Sequence, residues 1–136
     1  MRSQRGSALT EFAVVWPLVV LTVLAAVQVG LWSAAGFATR SAALAAARVG
    51  AGTAGSPAAA YAVARSVLGS AMPATTLTQW CPGGAPPSGV WVCARSIPAG
   101  FEVLIGGTLS ALVPLVPGRR GLPVHADAVL PYERFQ

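Results

Sequence analysis

From Phe12 to Thr39 the chain carries no charged residue, and up to Phe37 only Thr22, Gln28 and Ser33 interrupt the apolar run. A membrane-spanning helix needs about 20 mostly apolar residues, and this run is longer. Its 28 residues make a helix of roughly 42 Å, against a hydrocarbon core of about 30 Å. Tilt or continuation beyond the bilayer absorbs the surplus. Pro17 falls in the first turns, where it removes one backbone hydrogen bond and bends the helix. The next stretch, Ala38 to Ala51, is alanine-rich and meets no breaker until Gly50. Alanine is the best helix former, so the helix is expected to continue outward. Arg40, Leu44 and Arg48 recur at i, i+4 and i+8 and share one face of it. That face suits solvent or lipid headgroups, and alternatively a neighbouring subunit.

Gly50 to Pro57 reads as a break. Ser56 then fits an N-cap with Pro57 at the first helical position. A second helix is expected over Pro57 to Leu68, with Ala60, Val63, Ala64 and Val67 as its apolar stripe and Gly69 as its end. From Met72 onward the periodicity falls toward two. Thr75 to Cys81 and Gly89 to Ser96 read as strands separated by the turn sequence PGGAPPSG. FEVLIGG and LPVHADAVL are further strand candidates, and TLSALVPLVPG fits either a strand or a short helix. The expected fold class is α+β: a long N-terminal transmembrane helix continuing outside, a second short helix, and a small antiparallel β-sheet. No internal repeat is evident.

Composition strengthens the membrane reading. Of 136 residues, 54% are hydrophobic and 10% charged, against about 25% charged in ordinary soluble domains. The nine basic residues are all arginine. They are scattered singly apart from Arg119-Arg120, so no basic patch or stripe forms and direct nucleic-acid binding is not expected. The net charge of +5 reflects the scarcity of acids, of which there are four.

Candidate chemistry is sparse. Cys81 and Cys93 are the two cysteines, and their spacing matches neither a CxxC redox motif nor a zinc knuckle. If the strands around them pair, a disulfide would staple the hairpin. A loop of this size contributes roughly 3 kcal/mol in the chain-entropy model. Disulfides persist outside the cytoplasm, which would place the C-terminal part outside. The alternative is two unpaired cysteines buried as small hydrophobes. His125 is the lone histidine and alternates with Asp127 on a strand candidate. No serine sits in a G-x-S-x-G setting, so both read as polar residues of a half-exposed strand. The chain is expected to be non-enzymatic, with no cofactor and no metal.

A secretory signal peptide is the rival reading of the N-terminus. Arg2 and Arg5 would be its basic region, and Ser33-Ala34-Ala35 or Ala35-Gly36-Phe37 its small-residue cleavage site. An h-region usually has about 7–15 residues, and this run is about twice that. Arginines flank the span almost evenly (Arg2 and Arg5 before it, Arg40 and Arg48 after), so orientation rests on the cysteines.

Gly6, four residues, then Glu11-Phe12 and an apolar span is a layout that resembles prepilin-type leaders. The stretch RGSALTEFAVVWPLVVL, followed by SAALAAARVGA, is similar to TadE/TadF-like minor pilins (pseudopilins) of the tight-adherence (Flp, type IVc) pilus system. The C-terminal HADAVLPYE resembles their tail. The resemblance covers residues 5–52 and, loosely, the last dozen. It implies a leader over residues 1–6, cut by a prepilin peptidase between Gly6 and Ser7, and a transmembrane helix over 7–39. It further implies an outer helical continuation over 40–52 and a small extracytoplasmic α+β domain over 53–136. The implied location is the cytoplasmic membrane, with the N-terminus cytoplasmic and the outer domain outside or built into a surface pilus. The implied partners are the peptidase, other pilin and minor pilin subunits, tight-adherence membrane platform proteins and the lipid bilayer.

In such filaments Glu11 would meet the freed amine of a mature subunit, with Phe12 beside it at the subunit contact. An isolated carboxylate at bilayer depth costs about 2.5–3.5 kcal/mol on insertion scales and less near the interface. Pairing with an ammonium offsets that cost and favours one register between neighbours. The plain alternative is a Glu11 at the membrane edge facing water. Two other functional readings remain open: a single-pass protein with an outer binding domain, and a secreted domain freed by signal peptidase. The mature N-terminus separates them: Ser7, Met1, or a residue near Gly36 to Ala38.

Overall fold

The computed structural model describes residues 4–52, 55–73, 75–110 and 121–132, and the side chains of residues 4–10 and 110 lie outside that description. The sequence features at Arg2, Arg119-Arg120 and Glu133 also fall outside it.

The first helix, α1, runs unbroken over Gln4–Gly52, 49 residues with Pro17 inside, or roughly 74 Å. Its two halves differ in what they touch. Large apolar side chains from Phe12 to Trp32 are exposed. In the outer half Ala35, Thr39, Ala42, Ala43, Ala46 and Ala47 are buried. These positions recur at three- and four-residue steps, so they form one face. Because they are small, other elements approach the helix axis closely. The Thr39 hydroxyl, fully buried, donates to the carbonyl oxygens of Ala35 at 3.1 Å and Gly36 at 2.9 Å. It therefore sits in the core without an unmet polar group.

The second helix, α2, spans Pro57–Ala71. Ser56 is its N-cap and its hydroxyl accepts from the Ala59 amide at 3.4 Å, with Pro57 following. Gly69 does not end it. The helix runs on until the Met72 amide donates to Leu68 O at 2.7 Å. A terminating glycine needs a left-handed backbone, and Gly69 stays helical with open space around its Cα. The buried stripe is Ala60, Ala64 and Leu68, with Val63 and Val67 half-buried on its flank. That is a rotation of the expected face by part of a turn.

The strands are β1 (Leu77–Gln79), β2 (Val90–Ile97), β3 (Gly100–Ser110) and β4 (Gly121–Leu130), in sheet order β1-β2-β3-β4. The TLSALVPLVPG stretch thus gives its first three residues to β3, and its remainder lies outside the described residues. The fold class is α+β, but the sheet is mixed rather than antiparallel. β1 runs parallel to β2, pairing Leu77 with Val90 and Gln79 with Val92. The expected Cys81–Cys93 hairpin is therefore absent. Residues 80–89 instead carry the chain back past β2 to start it beside β1. Alternation predicts a strand but not its direction. The Pro/Gly run, exposed along most of its length, returns without forming the tight turn a hairpin needs. At its end Gly89 takes φ +88°, where a side chain would also run into Thr76.

Both helices cover one face of the sheet. That face is Val90, Val92, Ala94, Phe101, Val103, Ile105, Val124, Ala126 and Ala128, every second residue of three strands and all buried. Burying a side chain such as Phe101 or Ile105 contributes about 1.5–3 kcal/mol. Gly50 of α1 lies directly against the Phe101 ring, where a Cβ would not fit. On the other face Trp91 lies over Gly106, its cross-strand partner, and meets Trp80 edge-on at 4.9 Å between ring centroids.

Candidate functional site

The apolar half of α1 is the part of the molecule without a soluble explanation. A helix that is apolar all round belongs either in a protein core or in a membrane. Here 6% of the most apolar stretch of Glu11–Gly52 is buried, so the protein's own core does not cover it. Phe12 is 62% exposed and stacks on Trp16, one turn on, at 5.7 Å. Glu11 is exposed at the head of this collar. Ser7 and Gly6 lie four and five residues earlier, little more than one turn, in helical backbone.

The outer end of the collar is set by a hydrogen bond. The Trp32 indole Nε1 donates to Pro123 O at 3.1 Å, joining α1 to the start of β4. Below that point the apolar stretch from Phe12 to Leu31, exposed apart from a half-buried Ala25 and a buried Gln28, is about 20 residues, or roughly 30 Å of helix. This is the thickness of a hydrocarbon core. The docked sheet accounts for the surplus length that the sequence left to tilt or continuation. One long apolar helix of this kind fits a single-pass membrane protein.

Cys81 and Cys93 are joined in a disulfide with their Cα atoms 4.6 Å apart. Cys93 is buried and Cys81 exposed. The bridge ties the chain two residues beyond the three-residue β1 to the middle of β2, which gives that short edge strand a covalent hold. Arg95 and Glu102, opposite each other on β2 and β3, form an ion pair. His125 and Asp127 are both exposed on β4. Among the described residues no three His, Cys, Asp or Glu side chains gather as a metal site. Arg40, Leu44 and Arg48 are all exposed on α1, on one face.

Residues 6–48 match the family model described as TadE-like protein. Over this segment, about a third of its length, the chain is similar to TadE-like proteins. A TadE-like protein is a component associated with the Tad pilus system, and its partners in general are other pilus components. The matched segment starts at Gly6, contains Glu11 and the whole apolar collar, and ends at Arg48, four residues before α1 does. The sheet lies outside the matched segment. No curated protein and no solved structure matches the chain.

Sequence reasoning missed the outer ledge of the TadE-like helix: Trp32, Gly36, Phe37 and Arg40 packed beside Pro123 and His125. A tryptophan closing an apolar run is a membrane-interface signal and was legible. Its partner, β4, is distant in sequence and was not.

Proposed function

We propose that the chain is a minor pilin or pseudopilin, anchored in the cytoplasmic membrane by α1 and serving assembly of a tight-adherence pilus. It is a structural, non-enzymatic subunit. The observation that carries this reading is the bare, bilayer-length collar of a TadE-like helix, headed by Glu11 and ending where its own outer domain docks. The outer domain faces away from the cytoplasm, in keeping with its disulfide.

Prepilin peptidase cuts between Gly6 and Ser7. Both residues stand in helical backbone, so the first turn must open for a protease to reach the bond. Glycine lowers the cost of that opening, since it is about 0.5–1 kcal/mol less stable in a helix than alanine. Cleavage removes Arg2 and Arg5 and creates an amine at Ser7. Glu11 then pairs with the Ser7 amine of a neighbouring subunit, with Phe12 packed at the same contact. Platform proteins of the pilus machinery are the further partners.

The test compares precursor and mature masses, with co-purification of pilus components as a second readout. Gly6→Leu is expected to persist as the longer precursor. Glu11→Ala is expected to be cut normally and to associate less with other pilins. Normal processing of Gly6→Leu refutes the prepilin reading. Normal processing and assembly of Glu11→Ala refutes only the pairing role.

A further inference from the structure

We propose that the groove between α1 and the start of β4 holds the phosphate-bearing headgroup of an anionic bilayer lipid. The proposal rests on the membrane-anchored reading of α1. The groove, about 350 Å³, is lined by Trp32, Ser33, Gly36, Phe37 and Arg40 on the helix and by Pro123, Val124 and His125 on the strand. Small-molecule sites run from about 300 to 1,000 Å³.

Three observations select this occupant. The first is position. The helical side of the groove begins one residue beyond Leu31, where the bare collar has covered roughly 30 Å and lipid headgroups begin. The second is chemistry. Arg40 brings a fixed cation with several N–H donors, His125 brings a ring N–H, and no acid is among the lining residues. The third is the apolar wall. Phe37 is 71% exposed, the most of any large apolar side chain described. It stands one turn nearer the collar than Arg40, an aromatic ring at headgroup depth beside the guanidinium. Trp32 is held at the same boundary by its bond to Pro123. Aromatic rings and arginines with this ordering are what a membrane interface favours.

Arg48 supplies the internal control. It is exposed on the same face of α1 as Arg40 but two turns further out, and it does not line the groove.

The experiment uses the full chain in nanodiscs of phosphatidylcholine with or without phosphatidylglycerol. Native mass spectrometry counts retained lipid, and a headgroup-photoreactive phosphatidylglycerol maps the contact. The expected result is adducts on Trp32 to Arg40 and Pro123 to His125. Phosphatidylglycerol should be retained about fivefold over phosphatidylcholine, the preference one cation gives at an anionic surface. Arg40→Gln should remove that preference, and Arg48→Gln should keep it. Equal loss in both variants, or adducts confined to Phe12 to Leu31, would overturn the proposal. Displacement by inorganic phosphate makes the groove a free-phosphate site and overturns the lipid assignment. Adducts blocked by cross-linking to a second copy of the chain overturn it in favour of a subunit contact. Alkaline carbonate extraction separates the two levels. An extracted chain refutes anchoring and groove together, whereas a resistant chain without headgroup preference refutes the groove alone.

Discussion

Replacing Gly50 with alanine tests whether α1 is a wall of the outer domain's core as well as a span. A Cβ built on Gly50 would lie 2.6 Å from Phe101 Cζ, with Cε1 and Cδ1 nearer still. Carbon atoms in contact prefer about 3.5–4.0 Å. The ring is fully buried, so it has no solvent to swing into and α1 or β3 must shift. Overpacking of this kind costs about 1–3 kcal/mol. The same change gains helix propensity, up to about 1 kcal/mol, so the single variant mixes two opposed effects. Gly69→Ala separates them. Gly69 lies inside α2 with nothing within 4 Å of an added Cβ, and its change should stabilise by up to about 1 kcal/mol. Gly50→Ala should therefore be about 1–3 kcal/mol less stable than Gly69→Ala. The assay is guanidinium unfolding of the full chain in detergent micelles, followed by tryptophan fluorescence. Adding Phe101→Leu to Gly50→Ala should recover part of the loss, because two residues in contact do not add independently. A Gly50→Ala variant as stable as Gly69→Ala refutes the close packing of α1 on the sheet.

Protein recovered from cells under thiol-blocking conditions should carry Cys81 and Cys93 unalkylated until reduced, and mass spectrometry reads this directly. Changing both to serine should lower outer-domain stability by about 3 kcal/mol and leave membrane insertion intact, as scored by carbonate extraction. Trp32→Phe keeps the aromatic ring at the groove and removes the bond to Pro123; it should cost about 0.5–1.5 kcal/mol in the same unfolding assay. Residues 72–136 expressed alone lack both helices and bare the sheet's apolar face, so they should aggregate or bind hydrophobic dyes; a monomeric, cooperatively folded product contradicts this architecture.

The parts that were legible in the sequence are those in which one periodicity dominates a long window. The apolar run and the alanine-rich stretch after it are both helical whatever they pack against, so α1 was expected across its length. Val90 to Val92, Val103 to Ile105 and Val124 to Ala128 alternate, so three strands were expected where they stand. What the sequence concealed depends on pairing. The direction of β1 is decided by how residues 80–89 return, which no local pattern encodes. Of the expected α2 stripe, Ala60 and Ala64 are buried and Val63 and Val67 half-buried, while Leu68, not expected in it, completes the buried face. Glu11 was singled out by its isolation among apolar residues. The groove was not, since Arg40 and His125 are 85 positions apart and only the docking of β4 on α1 brings them to one place.

The unbroken course of α1 from the bilayer into the core of the outer domain leaves no slack between the two. A tethered domain on a flexible linker can tumble while its anchor stays still. Here a shift of the anchor by one residue, about 1.5 Å, is a shift of the sheet by the same distance, and a rotation of the anchor turns the sheet with it. Along the collar Pro17, in the first turns, removes one helix hydrogen bond. Everything beyond it moves as a single rod with its load attached. Traction applied near Glu11 would thus lift the sheet and its disulfide as one body, so the molecule behaves as a piston rather than a mooring line.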